Sequence, residues 1–151
     1  MTQGPKTGPK PAPTWAQNEA SGKTILFFDG VCGLCNRFVD WTLTHDKSET
    51  IVFTALQGKT AVTHVTEQDR LGLESVVVLK DGKLLRKTDA VAAILSTLGG
   101  LWSFAGSTLQ IIPRPFRDFF YDRVANSRYK LFEKKDVCRI PTVQERRRFL
   151  P

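Results

Sequence analysis

One short stretch constrains this chain more than any other: an uninterrupted apolar run, a turn and an amphipathic segment that meet at two cysteines. Ile25-Leu26-Phe27-Phe28 has the pattern of a short strand buried on both faces. Asp29-Gly30-Val31 supplies a turn. Leu34, Phe38 and Trp41 then recur at i, i+4 and i+7, which predicts a helix running to about His45. Cys32-Gly33-Leu34-Cys35 sits at the seam. A C-x-x-C at a strand-to-helix junction sets its first sulfur at a helix N-terminus and its second one turn further on.

The following segments extend this unit into an α/β layer fold. Ile51 to Thr54 reads as a second strand and Thr60 to Gln68 as a weaker helix. Val76-Val77-Val78-Leu79 is a β-branched run, and Asp81-Gly82 turns it back into Leu84-Leu85-Arg86 as a hairpin. Asp89 is expected to cap a helix with the apolar face Val91, Ile94, Leu95 and Leu98, stopped by Gly99-Gly100. The order β-α-β-α-β-β-α predicts a four-stranded mixed sheet with helices on its faces.

The two ends read differently. Residues 1–23 hold four of the eight prolines and no periodicity, so they are expected to form a flexible leader before one domain over residues 24–151. Met1 to Thr14 has no hydrophobic region of the secretory kind, and no apolar run reaches the roughly 18 residues of a membrane span. A cytoplasmic protein is expected. From about residue 101 a helical extension is predicted, with Phe116, Phe119, Phe120 and Val124 as a stripe. Eight of the fifteen aromatic residues lie between Trp102 and Phe132, so this extension is expected to pack on the core. Thr142-Val143-Gln144-Glu145 has the form of a capping box.

The net charge of +7 is concentrated at the C-terminus, where residues 111–151 carry eleven basic and five acidic side chains. A basic segment can meet nucleic acid, anionic lipid or an acidic partner, but its commonest form is a solvated face. No zinc-finger, RNP or helix-turn-helix signature points to nucleic acid.

The chemistry rests on the cysteine pair. Unpaired N–H groups and the macrodipole at a helix N-terminus favour an anion, so Cys32 is expected to be the more open, attacking thiolate with a modestly lowered pKa. Cys35, more buried, would resolve the mixed disulfide. Asp29 is read either as a proton relay to Cys35 or as a cap and turn former. A lone C-x-x-C could also be half of a zinc site, completed from Cys138, His45, His64 or Asp29. Covalent haem attachment is excluded because Asn36 follows the second cysteine. Cys138 is either a third redox thiol or a small buried hydrophobe. His45 and His64 are expected at the surface or at helix ends.

The stretch Asp29-Gly30-Val31-Cys32-Gly33-Leu34-Cys35-Asn36 resembles the DCC family of thiol-disulfide oxidoreductases, named for a D-x-x-C-x-x-C motif. The likeness continues through the Ser75 to Gly82 hairpin segment, Thr88-Asp89-Ala90, Leu98-Gly99-Gly100 and Ile112-Pro113-Arg114-Pro115. It ends in Arg128-Tyr129 and the run from Cys138 to Leu150. Ser127 stands where most members carry Asn. The resemblance implies a thioredoxin-like fold. Where thioredoxins place a cis-proline facing the disulfide, this chain has Glu74 and Ser75. A trans peptide and a different substrate-facing loop are therefore expected, since a non-proline cis bond costs about 2.5–4 kcal/mol.

These readings converge on a thiol-disulfide oxidoreductase of the protein-disulfide reductase type. Its partners would be protein thiols and disulfides and an upstream thiol reductant, with no organic cofactor or metal. Neither Gly33 nor Leu34 adds a cation, so a potential nearer thioredoxin's than that of C-x-H-C oxidants is expected. The competing reading is a non-catalytic module that binds a partner or a metal, with structural cysteines and a basic C-terminal segment for docking.

Overall fold

The computed structural model describes residues 22–72, 76–131 and 140–150. All of the expected leader but Gly22 and Lys23 therefore lies outside the described residues, as do Glu74, Ser75 and Cys138. Four strands form one mixed sheet: β1 (Thr24–Phe28), β2 (Ile51–Ala55), β3 (Val77–Lys80) and β4 (Lys83–Arg86), in the order β2-β1-β3-β4. β1 pairs parallel with β2, with Leu26 opposite Phe53, and antiparallel with β3, with Leu26 opposite Val78. Its five residues are all buried because both faces of the sheet are covered. Ile25 and Phe27 face a layer containing Val52, Leu56, Ala61 and Val65. Leu26 and Phe28 face the other, with Val39, Phe53, Ile94 and both motif cysteines.

The helices are α1 (Gly33–His45), α2 (Lys59–His64), α3 (Glu67–Gly72), α4 (Lys87–Leu98), α5 (Gly100–Ile111) and α6 (Arg114–Leu131). This is the α/β architecture expected from the element order, and it is consistent with a thioredoxin-like fold. The β3–β4 turn has Asp81 at φ 51° and Gly82 at φ 76°, the two left-handed residues that a tight hairpin needs. Gly99, at φ 73°, ends α4 as anticipated.

Several local expectations are corrected. The single helix over Thr60 to Gln68 is two short helices, because Thr66 Oγ1 accepts from the Asp69 N–H at 3.2 Å and starts a new one. Asp89 does not cap α4. It lies inside the first turn, and its carboxylate instead meets Arg114 at 2.7 Å and Arg117 at 3.0 Å on α6. The stripe Phe116, Phe119, Phe120 and Val124 does not pack on the core; all four are more than half exposed.

The C-terminal arginine run is not wholly solvated either. Arg148 is buried, with Nη2 donating to Asp46 at 2.5 Å and Nε donating to the Ile51 carbonyl at 3.2 Å. Phe149 forms a parallel bridge with Phe53, and the Leu150 N–H donates to the Phe53 carbonyl at 2.8 Å. This tail covers the outer edge of β2, which would otherwise present unpaired backbone groups. The capping box forms reciprocally, with the Thr142 N–H donating to Glu145 at 2.9 Å and the Glu145 N–H to Thr142 Oγ1 at 3.4 Å. It opens only a three-residue 3₁₀ turn, Arg146–Arg148.

Candidate functional site

β1 ends in the core and hands the chain directly to a turn stitched by side chains. Asp29 is buried, and its Oδ1 accepts from the Val31 N–H at 3.1 Å and from Gln57 Nε2 at 2.9 Å. Gln57 also accepts from the Gly30 N–H at 3.2 Å, so one amide spans the carboxylate and the turn backbone. The Cys32 N–H donates to the Asp29 carbonyl at 3.2 Å and closes the turn. Hydrogen bonds to a buried carboxylate are worth about 1.5–3 kcal/mol each. Asp29 thus acts visibly as a turn former. Gln57, which follows β2, was not singled out by sequence reasoning; it carries no motif, and only the parallel pairing of β1 and β2 brings it here.

Cys32 is the N-cap of α1, with extended dihedrals (φ −84°, ψ 120°), and its Sγ accepts from the Cys35 N–H at 3.4 Å. A sulfur takes the place usually held by a serine or aspartate oxygen. The first turn of α1 has no acidic residue to oppose a negative charge there. Asn36 is buried, and its Nδ2 donates to the Gly30 carbonyl at 3.1 Å while its Oδ1 has no hydrogen-bond partner among the described residues. Sequence reasoning assigned Asn36 no structural role, yet it ties the helix back to the turn.

Both cysteines are buried. Their burial reverses the expected order: Cys32 is 0% exposed and Cys35 is 6% exposed. Turning inward to cap the helix removes the Cys32 sulfur from the surface. Cys35 lines a cleft of about 240 Å³ with Leu34 and Phe38 of α1, Val91 of α4 and Val124 of α6. Tyr121 of α6 closes one wall, and its hydroxyl accepts from the Val76 N–H at 2.9 Å. No charged side chain lines the cleft among the described residues.

The other sequence candidates do not join this site. His45 and His64 lie at the ends of α1 and α2, as expected for helix-end residues. Burial holds the His64 pKa below its ordinary 6.5. Among the described residues, no three His, Cys, Asp or Glu side chains are grouped as metal ligands.

Known proteins are similar to most of this chain. The uncharacterized protein YuxK of Bacillus subtilis is 35% identical over 131 residues, spanning 84% of this chain and 93% of that protein. A DCC family protein of Arabidopsis thaliana, described as chloroplastic, is 33% identical over 124 residues, spanning 81% of this chain and 72% of that protein. No solved structure matches the chain. The family described as DCC1-like thiol-disulfide oxidoreductase matches residues 26–134, a range that takes in the capped cysteine turn, the sheet apart from Thr24 and Ile25, and the cleft wall on α6. This chain belongs to the DCC1-like thiol-disulfide oxidoreductase family.

Proposed function

We propose that the chain reduces protein disulfides through Cys32 and Cys35. The observation that carries this reading is the sulfur cap: Cys32 Sγ receives the Cys35 N–H at 3.4 Å, at a helix end that favours a thiolate. In the proposed cycle the Cys32 thiolate bonds to one sulfur of the substrate disulfide. The substrate S–S bond breaks, and its other sulfur leaves and takes up a proton. Cys35 then loses its proton and bonds to the Cys32 sulfur, releasing the second substrate sulfur as a thiol. The substrate gains two electrons and two protons, and the chain is left with a Cys32–Cys35 disulfide that an upstream thiol reductant restores.

Asp29 would receive the Cys35 proton, and Glu74 and Ser75 would face the substrate. Cys138 is the candidate third thiol. Because Cys32 is fully buried, the first step requires its cover to part, with the cleft beside Cys35 as the approach. A dithiol pair of this kind suits a reducing compartment such as the cytoplasm.

That same burial favours a second reading, in which the cysteines are small core hydrophobes of a non-catalytic module that binds a partner or a metal. Insulin reduction with a limiting dithiol separates the two. We expect turnover by the wild type, loss to the buffer rate in Cys32→Ser, and a stable mixed disulfide in Cys35→Ser. A wild type no faster than Cys32→Ser, together with stoichiometric zinc in the purified protein, establishes the module instead. Titration of Cys32 in the Cys35→Ser background tests the cap itself: a pKa above the ordinary value of about 8.5 would falsify it.

A further inference from the structure

The helical arm after Gly99 carries apolar side chains that the fold does not use. All seven residues from Gln110 to Phe116, where α5 gives way to α6, are exposed, and three of them are Ile111, Ile112 and Phe116. Pro113 and Pro115 hold this turn open between the helices. On α6 the apolar face continues through Phe119 and Phe120. On α5 the exposed Leu101, Phe104 and Ile111 lie on the side of the helix opposite Gly106, by the 100° step of an α-helix. Gly106 faces α4, where a Cβ would meet the Ala92 carbonyl oxygen at 3.0 Å and Leu95 Cβ at 3.1 Å. The arm therefore leans on α4 by its small residue and on α1 by Trp102, whose ring meets that of Trp41 edge-on at 4.8 Å, and turns Leu101, Phe104 and Ile111 outward.

Charge says what can cover this surface. Residues 99–116 contain no Asp or Glu, and α5 contains no charged residue of either sign. A solvated helix without charges is unusual, since exposed faces ordinarily carry them. The cations begin at the turn. Arg114 is exposed at the tip, and the Arg123 guanidinium lies 5.4 Å from the Phe119 ring centroid. Residues 110–131 hold five Arg or Lys and two Asp. Apolar side chains at an exposed turn whose own residues carry no carboxylate, with Arg114 at its tip shared with Asp89 and Arg123 over Phe119, match the anatomy of an element that dips into a lipid interface. A second copy of the chain would bring the same excess of cations to the contact, which disfavours pairing of two such faces. No helix among the described residues is long and apolar enough to cross a membrane, so the element would lie in the interface and not span it.

We propose that the α5–α6 turn, led by Ile111, Ile112 and Phe116, binds the surface of an anionic lipid membrane, with Arg114 and Arg123 at the level of the headgroups. This goes beyond the disulfide chemistry and does not depend on it.

Co-sedimentation of the full-length protein with phosphatidylcholine vesicles, with and without phosphatidylglycerol, tests the proposal. The wild type is expected to sediment with the phosphatidylglycerol vesicles, to bind the neutral ones far more weakly and to dissociate in high salt. The Ile111→Ser/Ile112→Ser/Phe116→Ser variant is expected to lose at least about tenfold in binding while melting at the wild-type temperature. Ile112→Asp, which places a carboxylate at an exposed turn residue, is expected to weaken binding by a similar factor as an independent check. A wild type that stays in the supernatant with both vesicles overturns the proposal. So does binding that the triple variant leaves unchanged. Sedimentation velocity showing a dimer that the triple variant dissolves overturns it in favour of self-association.

Discussion

The sheet and the arm are both rich in phenylalanine and treat it in opposite ways. Phe27, Phe28 and Phe53 are fully or almost fully buried, whereas Phe104, Phe116, Phe119 and Phe120 are all more than half exposed. In the sheet each apolar side chain meets a covering layer, helices on both faces and the C-terminal tail along the β2 edge. In the arm, Gly106 meets α4, Trp102 meets Trp41 of α1 and α6 lines the cleft beside Cys35, while Phe104, Phe116, Phe119 and Phe120 are left without cover among the described residues. Apolar content alone therefore does not say that a segment is core; a partner surface has to exist. The cysteine site lies where these regions meet, since α1 belongs to the covered layer and α6 closes the cleft beside Cys35.

The largest test of this contrast is at the sheet edge. Arg148→Ala strips the buried Asp46 carboxylate of its cation and leaves it only the Thr50 and Ile51 donors. A broken buried pair costs about 3–5 kcal/mol, which urea unfolding would register as a lower midpoint. A loss under about 1 kcal/mol would show that the tail is a minor attachment and not part of the sheet. Gly106→Val probes a close approach of α5 to α4. Its Cβ would press on the backbone of α4 at Ala92, and an overpacking cost of about 1–3 kcal/mol is expected in thermal melting.

A smaller effect comes from His64. Its folded-state pKa lies below 6.5 because of burial, so the unfolded chain binds the proton more readily. Its contribution is present above pH 6.5 and declines as pH falls from there toward the folded value. Stability measured from pH 7.5 to 5 should show a shallow loss that His64→Leu flattens. The smallest effect belongs to the outer face of the arm. Phe116→Ser should change stability by no more than about 0.5 kcal/mol, the range of ordinary surface substitutions. A loss of 2 kcal/mol or more there would mean that the arm is packed core after all.

Sequence reasoning reached most of the fold because the strong signals are local. The apolar run of β1, the Asp81-Gly82 turn and the Gly99 stop are each determined by a few adjacent residues. It reached the cysteines, their helix and the cap position for the same reason. It missed Gln57, Arg148 and the pairing of Asp89 with α6, each a contact between residues distant along the chain. It also reversed the exposure of the two thiols. Which way a capping sulfur turns depends on what is packed above it, and periodicity is silent on that.

The residues in order were enough to determine a mixed sheet, its turns and a cysteine at the start of a helix, because hydrophobic spacing and backbone preference act over a few positions. Three matters were settled only once the strands had paired and the helices had stacked. Cys32 became sealed, a single arginine of the terminal run became an internal counter-ion, and a row of phenylalanines was left facing outward. Each depends on whether another surface arrives to cover the group, and that is a property of the packed molecule.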